Sequence, residues 1–197
     1  MLLCECDLTG ISPLGFSKYI AEKKNTGEAH DAFEARSWRQ RLHVNKDGHV
    51  FIPPGALKNC LQNVAQHLSE TVPGKGKATY TKHFRSGILV CDELVLSNGN
   101  GKPIKGEAVE GLSLFVPSDG KRGGGSRVEK TFPVIQDWSA HATIHVLDPI
   151  LIDKPEKIEE YLKHAGQFIG LLWFRPERGG YYGRYTVSNF QSKKLEA

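Results

Sequence analysis

The sequence predicts an α+β fold built on an antiparallel sheet, and three observations carry that prediction. Alternating strand patterns open and close the chain, at Met1–Thr9 and Arg184–Phe190. Two amphipathic helix patterns, each opened by proline, lie between them, one from Pro53 to Glu70 and one from Pro155. Two further strand patterns, Gly87–Leu96 and Ala142–Leu147, separate the helices.

Met1–Thr9 alternates apolar and polar side chains and is ended by Gly10, Ser12 and Pro13. Ser17–Arg39 is polar and charge-rich, with a short helix expected at His30–Arg36. Arg41–Val44 and Val50–Ile52 flank Asp47–Gly48, a hairpin signal because glycine supplies the positive φ of a tight turn. In the first long helix Ala56, Leu57, Cys60, Leu61, Val64, Ala65 and Leu68 recur at helical spacing. Pro73–Lys77 is a loop, and Gly87–Leu96 is read as one core strand. Ser97 to Lys130 is glycine- and charge-rich with a short strand at Leu112–Val116. It is read as a protruding flexible hairpin, since it buries too little apolar area to order alone. In the second helix Ile158, Tyr161, Leu162, Ala165, Phe168 and Ile169 share a face, and Gly170 follows.

The order strand, helix, strand, strand, helix, strand predicts a ferredoxin-like (RRM-like) four-stranded antiparallel sheet with two helices on one face and a β-hairpin insertion, which the resemblance given below makes a thumb. The other face is left for a ligand. The expectation is a single domain over 1–197, with a palm of 1–10, 53–97 and 139–190 and insertions at 11–52 and 98–138. A chain of 197 residues suits that size.

No run of 18 apolar residues occurs, so no membrane span is expected. The strand-like start does not resemble a signal peptide, and a cytoplasmic location is expected (host cytoplasm for a phage-encoded chain). Cys4, Cys6, Cys60 and Cys91 form no CxxC pair and no zinc-finger spacing, so reduced thiols and no metal or cofactor are expected. The net charge of +4 permits a polyanionic partner without requiring one.

Four clusters make the placement of charge more informative than its sum. The closing segment Gly170–Val187 holds Arg175, Arg178 and Arg184, suited to phosphate oxygens, and Tyr181, Tyr182 and Tyr185, suited to stacking bases. Gly179, Gly180 and Gly183 would let backbone N–H groups approach a phosphate. The competing reading is a tight turn with solvated arginines and with Trp173 and Phe174 in the core. The second cluster is Arg36, Trp38, Arg39 and Arg41; on a strand, Arg39 and Arg41 share one face and Trp38 takes the other. Such a segment binds phosphate or is an edge strand kept soluble by charge. Lys75, Lys77, Lys82, His83, Phe84 and Arg85 form the third, and Lys121, Arg122, Arg127 and Lys130 the fourth. Glu156, Glu159 and Glu160 lie apart on the second helix, so a positive groove is expected on one side.

Catalytic patterns are sparse. GxSxG, P-loop and HExxH motifs are absent from the sequence. His141 and His145 share a strand face without an evident third ligand. His83 is the best general-base candidate for an RNA-cleaving domain of this class.

Phe51-Ile-Pro-Pro-Gly-Ala-Leu-Lys58 resembles the "IPGSSLKG" opening of the first helix in the repeat-associated RNA-binding (RAMP) superfamily of CRISPR effector proteins. The closing GLLWFRPERGGYYGRYTV resembles that superfamily's "G-G-x-G-R-F" ending. Gly10–Leu14 (GISPL), the aromatic–proline segment Arg127–Val134 and the Gly166–Arg184 close are similar to small phage and prophage proteins related to the CRISPR backbone subunit. The resemblance implies a ferredoxin-type palm, a thumb hairpin, binding along a nucleic-acid backbone and stacking of copies into a filament. It places Lys58 at the family's helix-start lysine and Lys121–Lys130 in the thumb. No acidic residue matches the target-cleaving aspartate of some relatives, so a non-enzymatic role is expected.

The expectation is therefore a sequence-tolerant single-stranded nucleic-acid-binding protein, with single-stranded DNA favoured over RNA, forming homo-oligomers along the strand, without membrane contact or small-molecule substrate. Phosphate contacts fall to Arg36, Arg39, Arg41, Lys58, Lys82, Arg85, Lys121, Arg122, Arg127, Arg175, Arg178 and Arg184. Trp38, His83 and Lys130 belong to the same surface, and Phe84, Tyr181 and Tyr182 stack bases. The alternatives are an RNA-binding subunit of a CRISPR effector, an inhibitor that mimics that subunit, and an endoribonuclease using His83.

Overall fold

The first strand, β1 (Leu2–Gly10), is an inner strand of the main sheet and alternates fully: Leu2, Cys4, Cys6 and Leu8 are buried, while Leu3, Glu5, Asp7 and Thr9 face the other side. The computed structural model describes residues 1–118 and 126–195. After β1 come β2 (Leu14–Gly15), α1 (His30–Ser37), β3 (Phe51–Ile52), α2 (Pro54–Leu68), α3 (Thr81–Ser86), β4 (Ile88–Leu89) and β5 (Leu94–Ser97). Then follow β6 (Glu110–Pro117), β7 (Arg127–Ile135), β8 (Ser139–Val146), α4 (Pro149–Ile152), α5 (Pro155–His164) and β9 (Tyr185–Lys194).

The main sheet is antiparallel in the order β3-β5-β8-β1-β9, with β4 also on β8. The class is α+β with antiparallel sheets, as the patterns predict. Among the described residues this sheet has six strands. One reason is that Gly87–Leu96 does not form a single strand. Cys91, Asp92 and Glu93 are exposed and leave the sheet, so Ile88–Leu89 pairs with the Val146 end of β8 and Leu96–Ser97 with its Ala140 end. The β1–β9 register shifts between Glu5 and Asp7, opposite Asn189, whose φ of 51° is left-handed.

α2 and α5 cover one face. Leu57, Cys60, Leu61, Val64 and Ala65 of α2 join Ile158, Tyr161 and Leu162 of α5 and the inward residues of β1 and β8 in one core cluster. α5 runs into a π turn at Ala165–Ile169, where Gly170 N–H donates to Ala165 C=O at 2.9 Å. That extra residue rotates Phe168 out of the predicted stripe, and its ring is 40% exposed. Gly166, earlier in the same turn, has a packing role: a Cβ there would lie 2.1 Å from the Tyr185 carbonyl oxygen, so only glycine lets the helix end meet β9.

A second, three-stranded sheet has the order β2-β7-β6. β6 and β7 pair from Glu110↔Val134 to Pro117↔Arg127, so the predicted hairpin has regular arms. It is not left to order alone: β2 pairs with Val134 and Ile135, and Trp38 packs against Gly111 of β6. Lys121 and Arg122 lie outside the described residues.

Cys4, Cys6 and Cys60 are buried and Cys91 is exposed; all four are free. Burial raises the Cys4 thiol to about 11 and those of Cys6 and Cys60 to about 12, which withholds the reactive thiolate at neutral pH. Iodoacetamide should therefore label only Cys91 in the native protein and all four cysteines after unfolding, as read by intact mass.

Candidate functional site

The closing segment from Gly170 to Arg184 folds back on itself between the two sheets. Leu171 N–H donates to Gly183 C=O (3.0 Å), Tyr182 N–H to Phe174 C=O (3.3 Å) and Gly180 N–H to Arg175 C=O (3.1 Å). Trp173 N–H donates to Gly15 C=O (3.1 Å) and Gly183 N–H to Pro13 C=O (2.8 Å), which ties the loop to the chain around β2. The N–H groups of Gly179, Gly180 and Gly183 are thus bonded internally and cannot cradle a phosphate. Gly180 instead permits backbone contact, since a Cβ there would sit 1.7 Å from the Phe174 oxygen.

Leu172 (φ 60°) and Phe174 (φ 47°) are left-handed without being glycine, a conformation costing on the order of 1–2 kcal/mol each. They set the side chains of this loop against two different depressions. Leu172 and Arg175 line a hollow of about 350 Å³ with His43, Pro53, Gly55 and Asn59. The two motifs that carry the family resemblance therefore meet here, at the start of α2. Burial, and then the nearby Lys18 charge, lower the His43 pKa. Trp173 and Phe174 line a cleft of about 640 Å³ with Tyr19, Phe33, Lys18 and Lys130. Its wall is aromatic: Phe132 and Trp173 stack at 4.3 Å, and Trp173 lies 5.1 Å from Tyr182. Phe174 is 41% exposed and Tyr181 53%, so Phe174 is not the core residue the sequence suggested.

Several predicted contacts are engaged in holding the fold. Arg41 is buried and makes a two-bond pair with Glu34, at 2.7 and 3.1 Å. It also donates to the Thr131 carbonyl at 3.1 Å, while Glu34 accepts from Thr131 N–H at 2.6 Å. Arg36, Trp38, Arg39 and Arg41 form no strand; Arg36 ends α1 and the rest are a 3-10 turn. Arg36 is held by Glu22 and by Glu28, whose carboxyl it holds down at about 2. Trp38 lies under the Arg39 guanidinium (4.2 Å), which takes one face, and its ring edge packs against Gly111.

The third cluster is split, because Thr81–Ser86 is a helix that the sequence reading missed: His83 and Phe84 face inward, while Lys75, Lys77, Lys82 and Arg85 are exposed. Phe84 is buried and stacked on Tyr161 at 4.4 Å, so it cannot stack a base. His83 is buried, with Nδ1 2.8 Å from Asp148, and its Nε2 is enclosed without a partner. No substrate oxygen can reach it there as a general base. Lys58 donates to the carbonyls of Phe84 (2.5 Å) and Arg85 (2.6 Å), capping α3. Lys82 and Arg85 are exposed on α3, away from both depressions.

In the closing loop Arg175 is held by Glu177 at 2.6 Å, and Glu177 accepts from Asn63 of α2 at 2.8 Å. Tyr182 and Tyr185 are buried. Arg39, Arg127, Lys130, Arg178 and Arg184 have no acidic partner among the described residues.

The open face of the main sheet differs from the expected ligand surface. β1 and β8 present no Phe, Tyr or Trp there; they present Glu5, Asp7, Thr9, His141, Thr143 and His145. Asp7 accepts from Asn189 (2.8 Å) and bonds His141 (2.9 Å), and these hydrogen bonds lower its pKa. Two carboxylates on this face disfavour a phosphate backbone. Sequence reading missed Lys18, Tyr19 and Phe33, which lie in an insertion treated as merely polar. The Phe16-Ser-Lys-Tyr-Ile20 run inside that charged stretch was the available signal.

No family model matches the chain, and no curated protein matches it by sequence. Solved structures do. The chain is similar to a chain of a Type III-B Cmr-beta complex bound to cognate target RNA, at 9% identity and a TM-score of 0.47, covering 98% of this chain and 61% of that one. It is similar to Cmr6 from Pyrococcus furiosus at 13% identity and a TM-score of 0.48, covering 95% and 99%. A third is a chain of a CRISPR RNA-guided surveillance complex, at 9% identity and a TM-score of 0.36, covering 95% and 66%. The chain thus spans less than two thirds of the first of these. Among the described residues no helix is long and apolar enough to cross a membrane.

Removing one partner of a buried pair strands the other charge, at about 3–5 kcal/mol. Glu34→Ala should lower unfolding stability by that amount in urea titration. Glu34→Leu/Arg41→Met, which removes both charges, should lose less than Glu34→Ala.

Proposed function

We propose that the chain is a non-enzymatic protein that binds single-stranded nucleic acid along the closing loop, and that its βαββαβ order is a ferredoxin-like palm beneath that site. The observation that carries this reading is the strained loop itself. It spends backbone energy to hold Phe174 beside an aromatic cleft, and it leaves Tyr181, Arg178 and Arg184 at the surface. Exposed rings offer stacking at about 1–3 kcal/mol per base, and unpaired cations offer phosphate contacts. The strand runs over the loop toward the β6–β7 hairpin, where Lys130 and Arg127 continue the positive rim. On long strands copies bind side by side. Phosphates and ring faces are common to DNA and RNA, so affinities for the two at one sequence should agree within about tenfold.

Fluorescence anisotropy with labelled single-stranded RNA, single-stranded DNA and duplex of one sequence tests this. Lys18, Arg127, Lys130, Arg178 and Arg184 predict a log-affinity against log-salt slope of about −3.5, at about 0.7 per phosphate contact. Arg178→Glu/Arg184→Glu should weaken single-strand binding at least tenfold. A salt-independent affinity, or equal binding of the variant, would show that the cationic rim is not the contact surface. The absence of binding to all three would move the site to a protein partner.

A further inference from the structure

The cleft beside the closing loop is more closely built than backbone binding requires. Its volume, about 640 Å³, lies within the range of about 300–1,000 Å³ typical of small-ligand sites. Leu114 and Val116 of β6 form one side, and the rings of Tyr19, Phe33 and Phe174 form others. Tyr19 is 83% exposed, an unusual state for a ring at the mouth of an apolar hollow. Trp173 offers only an edge, because it is stacked on Phe132 and a Cβ on Gly15 would lie 2.5 Å from its ring.

The polar groups are sorted by sign. Among the described residues Glu34 is the one acid in the lining, and both its oxygens are taken up by Arg41 and by Thr131 N–H. Lys18 and Lys130 line the same cleft with no acidic partner among the described residues. An apolar, ring-lined interior with ammonium groups and a neutralised acid fits a planar, apolar-faced ligand that carries an anion. It does not fit a cationic or an acyclic polar one.

We propose that this cleft takes one nucleotide unit, its base against the rings of Phe174 and Tyr19 and its phosphate at Lys18 and Lys130. The proposal rests on the single-strand reading in that the unit comes from the bound strand; a free mononucleotide has the same chemistry. The cleft then supplies a base-holding pocket at one point of an otherwise sequence-tolerant path.

The test uses the full chain, with adenosine 5′-monophosphate, a base-bearing single strand and a fully abasic strand of equal length as probes. Titration calorimetry reads the mononucleotide, and anisotropy reads the strands. Phe174→Ala should weaken the mononucleotide and the base-bearing strand by about tenfold or more, the size of one lost ring–base stack, and leave the abasic strand unchanged. Lys130→Glu, on the surface of β7, should weaken all three, and an unchanged melting temperature certifies its fold. Base-bearing strand bound equally by wild type and Phe174→Ala, with no mononucleotide binding at millimolar concentration, would overturn the pocket while leaving the single-strand reading intact. Mononucleotide binding without strand binding would keep the pocket, assign it to a free nucleotide and overturn the strand reading. Binding of none of the probes would overturn both.

Discussion

Thr131 gives both of its backbone groups to one buried ion pair: its N–H to Glu34 and its C=O to Arg41. A strand residue normally spends those groups on a neighbouring strand, and here they hold the charge-rich insertion instead. α1 and the 3-10 turn after it are thereby fixed to β7, and the segment carrying Lys18 and Tyr19 is fixed with them through the bond from Lys18 N–H to Arg41 C=O at 3.0 Å. This junction holds Phe33 and Tyr19 against the β6–β7 hairpin as one wall of the cleft. Each charge is satisfied by hydrogen bonds as well as by its partner, the condition under which burying a pair is tolerable.

The closing loop is the second element on which the arrangement depends. It joins α5 to β9, and it could have been a short connection. Its length is taken up by a fold-back that touches Pro13 and Gly15 on one side and α2 through Glu177 and Asn63 on the other. The loop is therefore a wedge between the main sheet and the smaller sheet, with many of its N–H groups committed to backbone carbonyls. That commitment is what allows Leu172 and Phe174 to stay in left-handed conformations: the surrounding hydrogen bonds over-determine them.

Much of the architecture was legible in the sequence because it rests on periodicity. β1, α2, β8, α5 and β9 all fall where alternation or helical spacing put them, since each buries one face against the same core. Legibility failed where a residue's partner is distant in the chain. Arg41 reads as a surface cation until Glu34 and Thr131 close over it, and Phe84 reads as a stacking ring until α3 turns it onto Tyr161. The glycines of the closing loop show a different failure. Their number was a fair sign of close approach, but the approaching group is the protein's own backbone. Phe174 was misplaced for the opposite reason: an apolar residue is assigned to a core by default, and here the structure keeps it at the surface, whereas Tyr19 went unnoticed because its segment read as merely polar.

The shift of register in β9 has a consequence for how the molecule meets its own kind. β9 is the outermost strand of the main sheet, with an unpaired edge facing solvent. An edge of ten residues is long enough to template a guest strand from a neighbouring molecule. The left-handed Asn189 breaks the ladder near its middle, so a guest in step with Tyr185–Ser188 falls out of step beyond it. Lys193 and Lys194 then place two ammonium groups at the far end. The sheet can thus end in open water without offering a continuous seam for misassembly.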